Sequence, residues 1–93
     1  MKTIAIIGTF DTKGREFKFI KDLVERRGLG TLCIHTGIYE PYFTPDVPNS
    51  AVAAAVGEDI AAIAEKHDRA LATDVMARGS EALVPRLYAE GKF

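Results

Sequence analysis

The 93-residue sequence contains very little cysteine, since Cys33 is its only one, and it has no tryptophan. A single cysteine excludes an internal disulfide. Cys33 lies in the apolar run Thr31–Ile34, where a thiol behaves as a small hydrophobic group. We therefore expect Cys33 to be a buried core side chain.

The sequence also has almost no net charge. Twelve basic and thirteen acidic side chains give a formal charge of −1. This balance provides no summed positive field that would hold a nucleic-acid backbone or an anionic membrane surface. We expect neither nucleic acid nor a membrane as a partner.

Long apolar runs are absent as well. No stretch approaches the roughly 20 residues of a membrane span, and the amino terminus lacks the pattern of a signal peptide. We therefore expect a cytoplasmic protein. A composition of 47% apolar and 27% charged residues is that of an ordinary folded domain, and 93 residues suffice for one domain.

The first third of the chain has the pattern of a strand–helix–strand unit. Thr3–Ile7 is a β-branched run ended by Gly8, as in a strand buried on both faces of a parallel sheet. Apolar residues at helical spacing follow over Arg15–Arg27, and Gly28 is a helix stop. Thr31–His35 repeats the strand pattern. This order predicts a Rossmann-like βαβ unit that begins a parallel sheet.

The rest of the chain predicts helices after an irregular loop over residues 36–49. Asn49 or Ser50 can cap the first of two short helices, and a longer helix begins at about Asp68. In that helix Gly79 predicts close approach to a strand and Pro85 predicts a kink. The apolar stripe of the long helix consists of Leu71, Val75, Gly79, Leu83 and Leu87. Because no third strand follows, residues 1–93 predict a single, incomplete α/β domain.

The run from Gly8 to Gly14 is a candidate phosphate loop between the first strand and the first helix. Such a turn directs backbone N–H groups and the positive end of the helix at one point. Thr9 and Thr12 offer hydroxyls, Lys13 offers a cation, and Asp11 can hold magnesium directly or through water. These groups suit the binding of a nucleoside phosphate at this turn.

A purely structural role for the same turn stays open. The spacing is neither the Gly-x-x-x-x-Gly-Lys-Ser/Thr pattern nor the Gly-x-Gly-x-x-Gly pattern. Asp11 or Thr12 can cap the helix, Gly8 can serve the turn, and Lys13 can be solvated without any ligand.

The run Ile4–Gly14, which reads IAIIGTFDTKG, resembles the opening of the ATP-binding family typified by the tomato mosaic virus resistance protein. The likeness continues through Pro45-Asp46, Val52–Gly57, Met76–Gly79 and Leu87–Phe93. It implies ATP, with magnesium, as the ligand. It also implies a further strand and a Gly-Gly-Ser-Gly-Gly type loop, so that residues 1–93 would be the amino-terminal segment of a nucleotide-binding domain.

His35 marks a departure from that family, in which an aspartate is usual at the end of the second strand. An acid at this place commonly contacts a ribose. His35 and Gly37 can contact the ligand in its stead, or His35 can be a side chain at the rim of the sheet. The residues predicted to bind ATP are Gly8, Thr9, Phe10, Asp11, Thr12, Lys13, His35 and Gly37, with Asp11 also predicted to hold the metal.

Two functions follow from these patterns. The first is a nucleotide-binding module that is not an autonomous enzyme, because the chain suggests no nucleophile–base pair and no clustered metal ligands. The second is a protein-interaction or assembly module without bound nucleotide. In either case an unpaired edge of the first strand predicts a homo-oligomer. We expect His67 to be a solvated side chain. We expect Asp46 to be a turn residue.

Overall fold

A computed structural model describes residues 2–93 and confirms the α/β class. These residues form two strands and four helices in the predicted order. Their bounds are β1 Thr3–Gly8, α1 Gly14–Arg26, β2 Gly30–His35, α2 Asn49–Ala54, α3 Ile60–Glu65 and α4 Arg69–Ala89.

The two strands pair in parallel, with Thr3 opposite Gly30 and Gly8 opposite His35. Helix α1 connects them and is followed by Gly28 in the left-handed region (φ 82°), as the sequence predicts. The parallel register brings the carboxyl ends of both strands to one edge of the sheet. Any ligand site of a parallel sheet is expected at this edge.

The outer edge of β2 is covered by the loop that precedes α2. Val47 forms a parallel bridge with Ile34, and the Asp46 carboxylate accepts a hydrogen bond from the Cys33 N–H at 2.7 Å. The Asp46 side chain therefore ties this loop to β2. Within residues 2–93, no strand pairs with the other edge of β1.

The prediction that β1 is buried on both faces is wrong. Ile6 is buried, but Ile4 and Ile7 are 41% and 43% exposed. Helix α1 is likewise only partly covered, since Phe19 on its predicted apolar arc is 66% exposed. The physical reason is that no described element flanks the free edge of β1.

Two apolar clusters lie on opposite faces of the sheet. Ile6, Phe10 and Cys33 are buried on one face, with Phe17 and Phe43 against them. The Cys33 side chain is fully buried, which confirms the sequence prediction, and burial raises the pKa of its thiol. The second cluster joins β2 to the helices, and its buried members are Ile34, Val52, Ala53, Ile63, Ala72, Val75, Met76 and Leu83.

Helix α4 has the predicted start and apolar stripe. The Asp68 carboxylate caps it by accepting from the Leu71 N–H at 3.1 Å, and Val75, Gly79 and Leu83 are buried. The helix continues through Pro85 to Ala89. No helix in residues 2–93 has the length and apolarity to cross a membrane.

Two local predictions are corrected by the packing of α2. A side chain at Gly79 would collide with the backbone carbonyl of Val52, so Gly79 approaches helix α2 and not a strand. Helix α2 begins after Pro48 without a side-chain cap. The Asn49 amide instead donates to the Gly37 carbonyl oxygen at 2.9 Å, which ties α2 to the loop after β2.

Candidate functional site

The turn after β1 is compact and held by its own hydrogen bonds. The Lys13 N–H donates to the Thr9 carbonyl oxygen at 2.9 Å, and the Thr12 hydroxyl donates to the Thr9 hydroxyl at 3.1 Å. Lys13 precedes α1 as its cap residue and provides no side-chain cap. The expectation that Asp11 or Thr12 caps this helix is therefore wrong, and the side chains of the turn point elsewhere.

Phe10 anchors the turn in the core. Its side chain is fully buried, and its ring centroid lies 4.6 Å from that of Phe43 and 5.2 Å from that of Phe17. Gly8 lies beside the same group, because a side chain there would collide with the Phe17 ring. Phe10 and Gly8, both predicted to contact the ligand, therefore fix the position of the turn from within the protein.

His35 connects the two loops that leave the sheet. Its ring is 1% exposed and stacks on Phe10. Nδ1 accepts from the Phe10 N–H at 3.2 Å and the Gly37 N–H at 3.3 Å, while Nε2 lies 2.8 Å from the Tyr39 carbonyl oxygen. Because Nδ1 accepts from two N–H groups, the ring N–H lies on Nε2, which donates to the Tyr39 carbonyl oxygen. Both ring nitrogens are thus hydrogen-bonded within the protein, and the predicted ligand contact of His35 stays a prediction.

Asp11 makes a second connection between the same loops. One carboxylate oxygen accepts from the Thr12 N–H at 2.8 Å, and the other accepts from the Tyr39 N–H at 3.1 Å. The carboxylate lies over Gly37, where any side chain would collide with it. Gly37 therefore leaves room for the Asp11 carboxylate in this position.

An open cleft of about 350 Å³ lies at the carboxyl ends of the two strands. Three segments form it: the turn after β1, the loop after β2, and the start of α4. Four of the predicted site residues meet there, namely Thr9, Asp11, Thr12 and Gly37. The other lining residues are Thr36, Ile38, Tyr39, His67, Asp68, Arg69, Ala72 and Thr73.

The sequence does not predict that the start of α4 forms one wall of the cleft. His67 is exposed, as predicted, but it lines the cleft and adopts a left-handed backbone conformation (φ 51°). Arg69, the first residue of α4, is exposed on the same wall. No local pattern pairs this segment with the turn after β1, because they lie more than fifty residues apart in the chain.

Lys13 does not line the cleft. It lies next to the amino end of α1, where the buried Gly14 faces Tyr42 and the Arg15 guanidinium lies 5.9 Å from the Tyr42 ring centroid. The Tyr42 N–H donates to the Phe10 carbonyl oxygen at 2.8 Å. Tyr42 thus packs beside the amino end of α1, while the cleft lies on the side of the threonine hydroxyls.

The charges that line the cleft are two carboxylates, Asp11 and Asp68, and the Arg69 guanidinium. Among residues 2–93, no group of three or more histidine, cysteine, aspartate or glutamate side chains could hold a metal ion. Asp11 accepts one hydrogen bond on each oxygen and keeps further lone pairs. It can therefore contribute one ligand to a metal whose other ligands come from a bound molecule and water.

A model of the amino-terminal domain of the uncharacterised protein family UPF0261 matches residues 2–93. The chain belongs to this family. A UPF0261 protein of Clostridium tetani is 46% identical over 90 residues, which is 96% of this chain and 22% of the relative. One of Brucella suis is 37% identical with the same coverage, and one of Rhizobium meliloti is 31% identical over 91% of this chain and 21% of the relative.

The chain thus spans about a fifth of the length of these relatives. No solved structure is significantly similar to it. The matches support an uncharacterised family with bacterial members. They say nothing about the tomato mosaic virus resistance protein, so ATP binding stays a prediction.

Proposed function

We propose that this domain of the UPF0261 family is a nucleotide-binding module with ATP phosphates at the turn after β1. One observation supports the proposal most strongly: Thr9, Asp11 and Thr12 line an open cleft at the carboxyl ends of two parallel strands. Ligands of open α/β sheets bind in this position. The choice of ATP rests on the resemblance to the tomato mosaic virus resistance protein family.

The cleft offers separate groups for the parts of a nucleotide. The Thr9 and Thr12 hydroxyls share one hydrogen bond, so one hydroxyl of the pair keeps its hydrogen for a phosphate oxygen. Ile38 and Tyr39, whose side chain is 51% exposed, provide apolar surface for a base or ribose. These contacts bind and orient a nucleotide, and none of them activates a nucleophile.

Magnesium fits this proposal as a companion of the nucleotide. Protein-bound Mg²⁺ usually takes one or two carboxylates together with phosphate oxygens and water. Asp11 is the carboxylate beside the threonine hydroxyls, and it is already oriented by two backbone N–H groups. We expect the domain to bind magnesium with ATP and not alone, and we place this binding in the cytoplasm.

Calorimetric titration with ATP and magnesium tests the proposal. Wild-type protein should bind saturably, and Thr9→Val should weaken binding by roughly 10- to 100-fold, which corresponds to one hydrogen bond to a charged phosphate oxygen. Thr3→Val is the matched control, because Thr3 lies at the opposite end of β1. Absence of saturable binding by the wild-type domain contradicts the proposed function.

Assembly is a second candidate function, and the free edge of β1 favours it. Ile4 and Ile7 of this strand are 41% and 43% exposed, and Phe19 on α1 is 66% exposed. Unpaired strand edges beside apolar surface tend to pair with another chain. We expect a homodimer or larger assembly at micromolar concentration. Sedimentation velocity should show it, Phe19→Ser should weaken it, and a wild-type monomer at high micromolar concentration argues against it.

A further inference from the structure

The positive charge available to a ligand in the cleft comes from α4 and not from the turn after β1. Arg69 lines the cleft, whereas Lys13 does not. Within residues 2–93 the ion pairs join Lys18 to Asp22, Lys21 to Glu25 and Arg78 to Asp74. The Arg69 guanidinium is thus free of a carboxylate partner in the described chain.

At the amino end of helix α4 one backbone N–H is already taken by a side chain of the protein. The Asp68 carboxylate already accepts the Leu71 N–H, and with Asp11 it makes the cleft unfavourable for an anion. A polyphosphate therefore needs a cation at the cleft in addition to any magnesium. A guanidinium suits this need, because its planar set of N–H donors matches phosphate oxygens and it stays charged at every physiological pH.

We infer that Arg69 is a phosphate-binding residue and that the ligand bridges the turn after β1 to the start of α4. This inference rests on the proposed nucleotide binding and assigns its cation. The ligand is an anion with more than one phosphate oxygen, held by the Thr9 hydroxyl on one wall and by Arg69 on the other. Lys13 then contributes only general charge from outside the cleft.

Replacing each of three cationic side chains by glutamine shows which of them binds the phosphate. Arg69→Gln should weaken binding of ATP with magnesium by roughly 10- to 100-fold, the loss expected for a charge-assisted hydrogen bond. Lys13→Gln and Arg86→Gln should each change it by less than about threefold, since screened surface charges have small effects. Arg86 is the matched control, because it is exposed near the opposite end of α4. Arg69→Lys keeps the charge without the planar donors and should give an intermediate loss.

An NMR readout reports the contact directly. The Arg69 Nε–H resonance of the wild-type domain should shift on saturation with ATP and magnesium, and the Arg86 resonance should not. If the wild type binds ATP but Lys13→Gln weakens binding while Arg69→Gln does not, the inference is overturned and the proposed function survives. If the wild type does not bind ATP, the proposed function fails and the inference fails with it.

Discussion

Replacement of His35 by alanine should destabilise the domain severely. The ring is 1% exposed and makes three hydrogen bonds, all with backbone groups. Its loss leaves the Phe10 and Gly37 N–H groups without an acceptor, at a cost of about 1–3 kcal/mol each. Loss of the stacked ring adds a cavity beside Phe10, and partial relaxation offsets some of the sum. We expect a loss of about 3–5 kcal/mol in the free energy of unfolding.

Urea denaturation of His35→Ala, His35→Asn and His67→Asn measures this effect. The asparagine oxygen can replace Nδ1 as acceptor, so His35→Asn should lose less stability than His35→Ala. His67→Asn is the control, because it replaces the exposed histidine with a residue that tolerates a positive φ. Hydrogen exchange of the Phe10 and Gly37 amides should accelerate selectively in His35→Ala. A loss below about 1 kcal/mol would refute the reasoning, since one unsatisfied buried N–H already costs that much.

Three further predictions concern single positions. Gly79→Val should lower the free energy of unfolding by about 1–3 kcal/mol through overpacking against Val52. Ala77→Val, on the exposed face of α4, should lower it by less. Equal urea midpoints for the two variants would argue against the close helix contact. His67→Gly should keep or raise stability by up to about 1 kcal/mol, because glycine adopts the left-handed conformation without strain, and a clear loss in thermal melts would contradict this. Burial raises the pKa of the Cys33 thiol from its ordinary value of 9.0, so the unfolded chain loses this proton first and stability should fall as pH rises above that value. Cys33→Ala should lack this part of the pH dependence, and the wild-type thiol should react with disulfide reagents only after unfolding.

The elements that depend on local pattern could be predicted from the sequence. The β-branched run of β1, the helix stop at Gly28 and the start of α4 at about Asp68 each depend on a few neighbouring residues, so their positions follow from short-range chemistry. The solvent exposure of individual apolar side chains could not be predicted from local pattern. Ile4 and Phe19 have the pattern of core residues, but their burial depends on which elements flank the free edge of β1.

The candidate site was predictable on one wall only. Thr9, Asp11 and Gly37 lie next to strand ends, and the parallel pairing of the strands brings such residues together. Arg69 joins them because α4 packs on α2, an arrangement set by long-range packing and not by local pattern. The burial of His35 likewise depends on Phe10 and the loop to Tyr39, which the sequence around the histidine does not specify.

Nucleotide titration followed by ¹H–¹⁵N spectroscopy tests the central claim most directly. With ATP and magnesium, saturable shifts should centre on the amides of Thr9, Asp11 and Thr12 and extend to Arg69, and they should weaken when magnesium is removed. The amide of Thr3, at the far end of β1, should stay unchanged. Saturation without effect on the turn after β1, or no saturable shift at all, would contradict nucleotide binding in this cleft.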